Sequence, residues 1–312
     1  MAQRGTLSTP PTIGVVILTM GDRPQELRRA FASLEFQQGV DIDVAVVGNG
    51  WDPATMPGGL PAGFTPVYLE ENLGIPAGRN AGVPHVRGEF ILFLDDDSWL
   101  PDTDFLSEAA ARFSKYPDMG MLMPRIADPD DLESPRRWIP RLNKRTARES
   151  SNIFHVGETC LLLPRSVFEA TRGWAGGFWY AHEGIELAWR VWDTGHRVWY
   201  AGDLRVCHPV VDPRRHGEFY RLNARNRVWL ARRNLRWPFS WLYVGSWTLI
   251  NLIRLRNDPN GLRQHLAGLL SGYRTSPWYQ QPRPKLSWRT HLRMTWPAGL
   301  PSSERPPRQN TA

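Results

Sequence analysis

The sequence has 312 residues, 41% hydrophobic and 22% charged, a composition that excludes an intrinsically disordered chain. Its net charge of +7 favours polyanionic partners such as diphosphates or anionic lipid headgroups. No helix-turn-helix, zinc-finger or RNA-binding signature accompanies this charge, so a nucleic-acid partner is not expected. The two cysteines, Cys160 and Cys207, each lie in an apolar segment, which predicts buried thiols and no disulfide.

The N-terminus, residues 1–11, is polar and is expected to be flexible. It lacks the apolar core of a signal peptide, which predicts a cytoplasmic protein. Residues 12–19 then form a short apolar run rich in β-branched side chains, which predicts a buried strand. A helix is predicted to begin at Pro24, because proline suits the first helical turn and apolar residues recur on one face after it.

Strands and helices alternate along the next hundred residues. Apolar runs predict strands at 43–47, 66–69, 90–94 and 119–123, and an amphipathic pattern predicts a helix at 102–116. This alternation indicates an α/β fold with a mostly parallel central sheet and helices on both faces. Ligands of such sheets bind at the carboxyl ends of the strands. The turn Gly48-Asn49-Gly50 and the acidic triplet 95–97 are therefore expected at one shared site.

The middle of the chain is less regular. Residues 127–150 are charged, contain proline and lack periodicity, which predicts a mobile surface loop. Ordered structure is expected to resume at 154–163, with a helix from about Arg165. A further helix is predicted at 185–192, and strands are predicted near 197–200 and 204–208.

The C-terminal third changes in composition. Ten arginines but only two acidic residues lie between Asp212 and Arg256. The segment 237–253 is apolar and aromatic, but it is too short and too interrupted for a transmembrane helix. Two interpretations stay open for it: a helix lying in an anionic membrane interface, and a helix packed on the rest of the protein. Residues 277–312 are rich in proline and arginine and are expected to be largely disordered.

Asp95, Asp96 and Asp97 are the strongest candidates for chemistry. Three adjacent carboxylates at the end of a buried strand repel one another unless a positive charge is close. Mn2+ and Mg2+ prefer such oxygen ligands and often share them with substrate phosphates. In an extended backbone alternate side chains point the same way, so Asp95 and Asp97 are the predicted metal ligands. The alternative is an acidic strand end that caps the next helix.

The segment 72–82 reads Asn-Leu-Gly-Ile-Pro-Ala-Gly-Arg-Asn-Ala-Gly. Its small residues allow a backbone to approach a ligand closely, and Arg79 offers a fork of donors to a phosphate. It matches neither a Walker-type phosphate loop nor a Gly-x-Gly-x-x-Gly fingerprint. As a bare pattern it also fits a tight junction between a loop and a helix.

Several segments stand in a characteristic order: VVILT, 72–82, GEFILFLDDD, 157–169, GGFWYAHEGIELAWR and Val206-Cys207-His208. Over about residues 12–230 this order resembles an inverting glycosyltransferase of family 2 with the GT-A fold. The resemblance implies a GT-A catalytic domain at 12–212. It is followed by an Arg/Trp-rich helical extension at 213–276 and the Pro/Arg-rich tail at 277–312.

The resemblance also implies a nucleotide-diphosphate sugar as donor and a glycan or lipid-linked acceptor. Asp95 and Asp97 would bind Mn2+ or Mg2+ together with His208, whose neutral imidazole is a suitable ligand. Without the resemblance, His208 is interpreted as a core histidine. We assign donor binding to residues expected along the same edge of the sheet: Thr19, Asn49, Asn72, Gly74, Arg79, Asn80 and Asp96.

The sequence departs from the family pattern before the acceptor-side helix. Members carry a Glu-Asp pair there, with the Asp commonly serving as the base, but this chain has Gly184 in the Asp position. Glu183 is therefore the predicted catalytic base, with Glu186 and His182 in reserve. An ion pair with Arg190, four residues further along the helix, is the alternative interpretation of Glu186.

A second departure lies at the end of the second predicted strand. Relatives often carry an aspartate there that helps to bind the nucleotide base, and this chain has Gly48. Asn49 is a candidate substitute, and the base of the donor is left unassigned.

The expected function is one-step transfer of a hexosyl or deoxyhexosyl group in cell-surface polysaccharide synthesis. A peripheral site on the inner face of the cell membrane is expected if 237–253 binds lipid. One alternative is a catalytically degenerate relative that binds a nucleotide sugar or a glycan, which Gly184 favours. The other is a sugar nucleotidyltransferase, which normally needs a Gly-rich loop with Arg and Lys after the first strand, whereas residues 19–23 offer one Gly and one Arg.

Overall fold

One sheet of eight strands organises the described part of this computed structural model, which covers residues 9–140, 146–210, 217–278 and 282–295. The strands are β1 (Thr12–Thr19), β2 (Asp41–Asn49), β3 (Phe64–Leu69), β4 (Phe90–Asp95), β5 (Met119–Ala127), β6 (Ser151–Asn152), β7 (Cys160–Pro164) and β8 (Arg197–Cys207). The α-helices in the same ranges are α1 (Pro24–Glu35), α2 (Ile75–Gly82), α3 (Phe105–Lys115), α4 (Arg165–Thr171), α5 (Glu183–Asp193), α6 (Phe219–Asn234), α7 (Phe239–Arg254), α8 (Pro259–Arg274) and α9 (Trp288–Thr295).

The strands stand in the order β3-β2-β1-β4-β7-β5-β8-β6. The pairs β1–β2, β2–β3, β1–β4 and β5–β8 are parallel. Strand β7 runs antiparallel to both of its neighbours, and β6 runs antiparallel to β8. Helices α2 to α5 pack on this sheet. The predicted α/β architecture with a mostly parallel sheet is confirmed.

The central strands form where the sequence predicts them, because their side chains are covered on both faces. Strand β1 occupies the predicted residues 12–19, and its segment 13–17 is almost inaccessible to solvent. In β4 every residue from 90 to 94 is at most 6% exposed. Such continuous apolar runs are typical of parallel strands between two layers of helices. The polar residues that end these strands are thereby held at one edge of the sheet.

The second half of the sheet departs from the prediction. Of the expected element 154–163, only residues 160–163 lie in a strand, β7, which continues to Pro164. The strands predicted at 197–200 and 204–208 are one strand, β8, with a register shift against β5 between Pro124 and Arg125. The irregular register accommodates residues 202–204 within one continuous strand. A Cβ at Gly202 would lie 2.5 Å from the carbonyl carbon of Arg148, so glycine permits this close approach.

The C-terminal helices pack on one another and on α5. Helices α6 and α8 pack along each other, and α6 also contacts α5 and α7. A separate apolar cluster joins α5 to these helices through Trp189, Val228, Leu230 and Leu286. Helix α6 thus packs on both α5 and α8. The composition of residues 213–276 predicts a helical extension but does not divide it into α6, α7 and α8.

Helix α7 coincides with the predicted apolar segment 237–253 but buries little of it. Val244 is its one buried residue, while Trp241 is 66% exposed and Leu249 is 60% exposed. Among the described helices, none combines the length and apolar character needed to cross a bilayer.

Both cysteines are buried and free, as predicted. Helix α9 lies within the tail that was expected to be largely disordered, and Thr290 and His291 on it are buried. Several predictions fall on segments outside the described residues. These segments are most of the N-terminus that was expected to be flexible (1–8), part of the predicted loop (141–145), part of the arginine-rich region (211–216) and parts of the tail (279–281 and 296–312).

Candidate active site

Strands β1, β2 and β4 end at the same edge of the sheet, where a cleft of about 370 Å³ opens. The register places Thr19 beside Gly48 and Leu18 beside Asp95. The cleft is lined by the three predicted metal ligands and by every predicted donor-site residue except Asn80: Thr19, Asn49, Asn72, Gly74, Arg79, Asp95, Asp96, Asp97 and His208. Residues not assigned from the sequence also line it: Arg23, Glu158, Trp179 and Tyr180.

Asp95, Asp97 and His208 meet at the centre of this edge. One ligand atom from each lies within 4.8 Å of the other two, and His208 Nε2 is 3.3 Å from Asp97 Oδ1. Asp95 ends β4, while His208 follows β8 and donates its backbone N–H to Ala127 O at 3.0 Å. Two carboxylates and an imidazole form a donor set that fits Mn2+, and Mg2+ less well because of the nitrogen ligand.

The neighbouring acidic groups differ in their affinity for protons. Desolvation raises the pKa of Asp96 to about 7, although the charge of Arg23 acts in the opposite direction. Desolvation likewise raises the pKa of Asp95. It acts on Asp97 too, but the hydrogen bond and charge of His208 outweigh it and leave the pKa of Asp97 below its ordinary value. Burial lowers the pKa of His208, but Asp97 more than compensates, so the pKa is raised and a cation must displace a proton from this pair.

Arg23 supplies a positive charge to the acidic triplet. Its Nη2 lies 2.8 Å from Asp96 Oδ1, and its Nη1 donates to Asp97. It precedes α1, which begins at Pro24, and 28% of its side chain is exposed, so the guanidinium lies at the mouth of the cleft. The sequence signal for this contact is a single arginine in the loop after the first strand, which could not be linked to residues 96 and 97 without the fold.

Arg79 is nearly inaccessible to solvent, with 2% of its surface exposed. Its Nη2 donates to Asp95 Oδ1 at 2.6 Å and to the backbone oxygen of Glu158 at 2.9 Å. Its guanidinium lies over the ring of Trp174 at 4.9 Å. These contacts hold Arg79 beside the predicted metal site, where its contact with a diphosphate stays a prediction. Asn80 lies outside the cleft lining and exchanges two hydrogen bonds with the backbone of Trp174.

Asn49, at the end of β2, holds the loop that precedes α2. Its Nδ2 donates to Asn72 Oδ1 at 2.9 Å, and its Oδ1 accepts the N–H of Leu73 at 2.8 Å. Asn72 Oδ1 also accepts the N–H of Gly74 at 2.9 Å. Gly74 has φ +80°, and a Cβ there would lie 2.6 Å from the backbone of Trp179, so glycine is required. These contacts build the wall of the cleft, and the role of Asn49 toward a nucleotide base stays a prediction.

Gly48, where family members often carry an aspartate, has no room for a side chain. A Cβ at this residue would lie 1.8 Å from the backbone oxygen of Trp51 and 2.7 Å from Pro53 Cδ. The chain folds back over β2 through this turn. The volume that an aspartate would use is therefore occupied by backbone.

Glu183 begins α5 and is completely buried, whereas Glu158 is partly exposed in the cleft wall. Among the described residues, no N–H group donates to either carboxylate oxygen of Glu183. Its side chain lies against Glu158. Desolvation and the charge of Glu158 raise the pKa of Glu183 well above its ordinary value, which favours its protonated form. Its assignment as the base stays a prediction.

His182 lines a different cavity, of about 890 Å³, between α5 and the C-terminal helices. Its Nε2 lies 3.0 Å from Asn223 Oδ1. Burial and the charge of Arg227 lower the pKa of His182 to about 3, so its imidazole is neutral. The structure thus separates this reserve residue from the cleft that contains Asp95.

Glu186 joins two helices through its buried carboxylate. Its Oε1 lies 3.3 Å from Arg190 Nε and 3.0 Å from Arg233 Nη2. Burial raises the pKa of Glu186, but the charges of Arg233 and Arg190 outweigh it and bring the pKa below its ordinary value. The alternative interpretation, an ion pair with Arg190, is confirmed, and the second partner on α6 was not foreseen.

The sequence model of the family described as "Glycosyl transferase family 2" matches residues 15–172, just over half of the chain. This range contains the acidic triplet and Glu158, and it ends before Glu183 and His208. No curated protein matches the chain by sequence.

Solved structures with a similar fold include S. aureus TarS 1-349 in complex with UDP, which is 18% identical with a TM-score of 0.51 and matches over 70% of this chain and 65% of that one. Mannosyltransferase PcManGT from Pyrobaculum calidifontis, in complex with GDP-Man and Mn2+, is 15% identical with a TM-score of 0.55 and coverages of 94% and 81%. GalNAc-T7 with UDP, GalNAc and Mn2+ is 14% identical with a TM-score of 0.56 and coverages of 73% and 48%. This chain therefore spans less than two thirds of the TarS and GalNAc-T7 structures, and at these identities the likeness concerns the fold.

Proposed function

The chain belongs to glycosyl transferase family 2 and has the GT-A fold, and from this premise we propose that it is a metal-dependent inverting glycosyltransferase. It moves a hexosyl or deoxyhexosyl group from a nucleotide-diphosphate sugar to a glycan or lipid-linked acceptor. This transfer serves cell-surface polysaccharide synthesis. TarS and GalNAc-T7 were solved with UDP and PcManGT with GDP-Man, so the fold does not select the base of the donor.

One observation carries the proposal: Asp95, Asp97 and His208 converge within 4.8 Å in the cleft that the predicted donor residues line. A divalent cation, Mn2+ or Mg2+, held by these three residues would supply positive charge to the departing diphosphate. Arg23 lies beside them at the mouth of the cleft and can exchange its contact with Asp97 for a phosphate oxygen. The residues present thus suit a phosphorylated leaving group.

The remaining residues of the cleft bind and orient the donor. Asn49 and Asn72 shape the wall through their hydrogen bonds to the loop before α2. Glu158 lines the cleft beside the N-terminus of α5, where the proton of the acceptor hydroxyl would be taken up. The sugar is then displaced in one step from the diphosphate.

A thermal-shift panel tests the proposal. The full chain is heated with UDP, GDP, ADP, CDP or dTDP, each with and without Mn2+. A ligand present at about 100 times its Kd stabilises the folded state by about 2.7 kcal/mol. We expect at least one nucleoside diphosphate to raise the Tm more with Mn2+ than without it, and the Asp97→Ala variant to lose this metal-dependent part. The exposed-residue variant Asp130→Ala serves as the matched control.

Release of nucleoside diphosphate from the matching nucleotide sugar completes the test. A panel in which no nucleotide binds, or in which D97A responds like the wild type, contradicts the proposal. Donor binding without any sugar transfer or hydrolysis would favour the catalytically degenerate alternative. Release of pyrophosphate from a nucleoside triphosphate mixed with a sugar phosphate would favour the nucleotidyltransferase.

The proposal includes a peripheral position on an anionic membrane at the inner face of the cell membrane. Helix α7 leaves a broad apolar face in solvent, on which Trp241 and Leu242 are 66% and 64% exposed. Arg254 and Arg256 follow this face at its C-terminal end. Aromatic and aliphatic side chains beside arginines suit the boundary between lipid tails and anionic headgroups. A lipid-linked acceptor would be presented at the same surface.

Sedimentation with phosphatidylserine vesicles at low salt tests this position. The chain is expected to sediment with these vesicles and to be released as salt screens the arginines. Trp241→Ala should weaken binding at least several-fold, whereas Phe36→Ala, which removes an equally exposed aromatic residue just after α1, should not. Equal sedimentation of the two variants, or self-association in place of lipid binding, would contradict the membrane assignment.

A further inference from the structure

Gly184 and Glu158 compete for the same space. A Cβ at Gly184 would lie 2.5 Å from both Cγ and Oε1 of Glu158 and 2.9 Å from its Cδ. At these distances a side chain at residue 184 would force the Glu158 side chain to move. The backbone of Gly184 is not in the left-handed region, so the conflict lies with the side chain of Glu158 and not with the dihedral angles.

Glu158 is held in this space by the start of α5. Its Oε1 accepts the N–H of Gly184 at 2.6 Å. This N–H is one of the backbone donors that the first turn of a helix leaves free, and the helix dipole favours negative charge at that end. The carboxylate of Glu158 therefore reaches the helix from a different segment of the chain.

Glu158 also lies close to the acidic cluster at Asp95. It lines the cleft that contains Asp95, and its backbone oxygen and Asp95 Oδ1 contact the same nitrogen, Arg79 Nη2, at 2.9 and 2.6 Å. Glu183, by contrast, is fully buried and does not line the cleft. Of the two carboxyl groups, Glu158 is thus the one with access to a bound acceptor.

We propose that Glu158 is the catalytic base of this enzyme, delivering from residue 158 the carboxylate that other family members carry at the position of Gly184. This inference rests on the proposed glycosyltransferase function. It assigns the reaction a residue outside the predicted set and gives a physical reason for the glycine. With glycine at 184 the Glu158 side chain fits, and an aspartate at 184 would displace it.

In the reaction the O–H bond of the acceptor hydroxyl breaks and its proton passes to the Glu158 carboxylate. The acceptor oxygen forms a bond to the anomeric carbon of the sugar. The bond between that carbon and the diphosphate oxygen breaks, and its electron pair leaves with the nucleoside diphosphate. When water is the acceptor, the products are free sugar and nucleoside diphosphate.

Glu183 acts as a positioning residue for this base. Desolvation and the charge of Glu158 raise the pKa of Glu183 well above its ordinary value, which favours its protonated form, and a protonated Glu183 can donate to the Glu158 carboxylate. Desolvation also raises the pKa of Glu158, while Arg79, Glu183 and the Gly184 N–H favour its ionised form. One proton shared between two carboxyl groups thus leaves the cleft-facing one free to accept another.

Hydrolysis of the donor by the full chain tests the assignment of Glu158 as the base. Water is the acceptor and Mn2+ is present. The donor is the nucleotide sugar whose nucleoside diphosphate gives the largest thermal shift. Glu158→Gln should lower the rate of nucleoside diphosphate release by about 100-fold or more, the usual effect of losing a general base. Glu183→Gln keeps an N–H donor toward Glu158 and should lose less than about tenfold. Glu169→Gln, at an exposed residue of α4, is the matched control.

The pH dependence of donor hydrolysis distinguishes a positioning role of Glu183 from a purely structural one. Glu183→Ala removes the hydrogen bond that favours ionised Glu158, so the acidic limb of the rate profile should move to higher pH. Arg79 and Asp95 also face this carboxylate and remain in place in the variant. A rate that falls equally at every pH would contradict the positioning role.

A swap of the two residues gives the sharpest test. Gly184→Asp alone should be impaired, because its Cβ collides with Glu158. The double variant Glu158→Ala/Gly184→Asp removes the collision and should hydrolyse the donor about tenfold faster than Glu158→Ala. A double variant that binds nucleoside diphosphate normally yet shows no recovery contradicts the replacement of one residue by the other.

The outcomes distinguish the inference from its premise. If E158Q retains both donor binding and the wild-type rate, or if E183Q is the more damaged variant, Glu158 is not the base while the proposed function stands. If the wild-type chain neither binds a nucleoside diphosphate nor hydrolyses any nucleotide sugar, the proposed function fails and the inference fails with it.

Discussion

Arg23 Nη2 lies 2.8 Å from Asp96 Oδ1, across the mouth of the cleft. The same guanidinium donates to Asp97, so one side chain neutralises two members of the acidic triplet. In the metal-free protein this arginine supplies part of the positive charge that a cation would otherwise supply. Stability without metal and affinity for metal are therefore linked through Arg23.

We expect the Arg23→Ala variant to be less stable than the wild type in the absence of metal. Loss of one partner of a buried ion pair costs about 3–5 kcal/mol, and the position of Arg23 at the rim reduces this to about 2 kcal/mol. Added Mn2+ should stabilise the variant more than the wild type, because Arg23 no longer occupies Asp97. Urea denaturation with and without Mn2+ measures both effects. Arg28→Ala, at an exposed residue of the same helix, should show neither.

Glu186 predicts a dependence of stability on pH. The arginines on α5 and α6 hold its pKa in the folded protein below the ordinary value of 4.5. A depressed pKa stabilises the fold above the unfolded value and loses this contribution as pH falls through the folded value. Glu186→Gln should therefore cost about 3 kcal/mol near pH 7, and its stability should approach that of the wild type below about pH 4.5.

Denaturation curves recorded between pH 7 and pH 3 measure this convergence. Glu108→Gln, at an exposed position on α3, should change stability by less than about 0.5 kcal/mol throughout. Parallel curves for the wild type and E186Q would show that Glu186 does not titrate as the ion pair requires.

The Gly48→Asp variant introduces the residue that family members often carry, and we expect it to destabilise the fold without improving nucleotide binding. Its Cβ would lie 1.8 Å from the backbone oxygen of Trp51, so the turn after β2 must move. We expect a loss of about 3 kcal/mol in unfolding free energy and no gain in affinity for UDP. Gly217→Asp, where a Cβ meets no atom within 4 Å, is the control. A stable G48D variant that binds UDP more tightly would disprove this view of the turn.

Asn226 on α6 forms hydrogen bonds to the segment 178–181, which contains Trp179. Its completely buried Nδ2 donates to the backbone oxygens of Phe178, Tyr180 and Ala181 at 2.9, 2.6 and 2.9 Å. Asn226→Asp replaces this donor with a carboxylate facing three carbonyl oxygens. It should destabilise the chain by about 3 kcal/mol, and more than Asn226→Ala does. Equal Tm values for the two variants would contradict the role of the amide donor.

The parts of the fold that follow from local patterns were predictable. Strands β1 and β4 can be predicted from the sequence because both of their faces are buried, which requires an uninterrupted apolar run. The acidic triplet follows directly from the end of β4. The convergence of His208 with Asp95 and Asp97 came from the family resemblance, since more than a hundred residues separate them along the chain and only the sheet brings them together.

The contacts that the sequence did not reveal depend on long-range geometry. No sequence motif around Glu158 indicates a function, because it lies in the irregular segment before β7. Its proximity to Gly184 is visible only in the folded structure. Arg23 looked like part of a helix start, and Arg233 like one arginine among many. The antiparallel direction of β7 was not predictable either, because a short apolar run does not indicate how a strand is oriented relative to its neighbours.

The ion pair between Glu186 and Arg233 has a consequence for how the chain can be divided. A fragment cut at residue 212 would retain Glu186 with Arg190 alone and would also release the three carbonyl groups held by Asn226. We therefore expect such a fragment to be less stable than the full chain. Recombination with a relative should preserve function only when the crossover keeps α5 and α6 from the same parent.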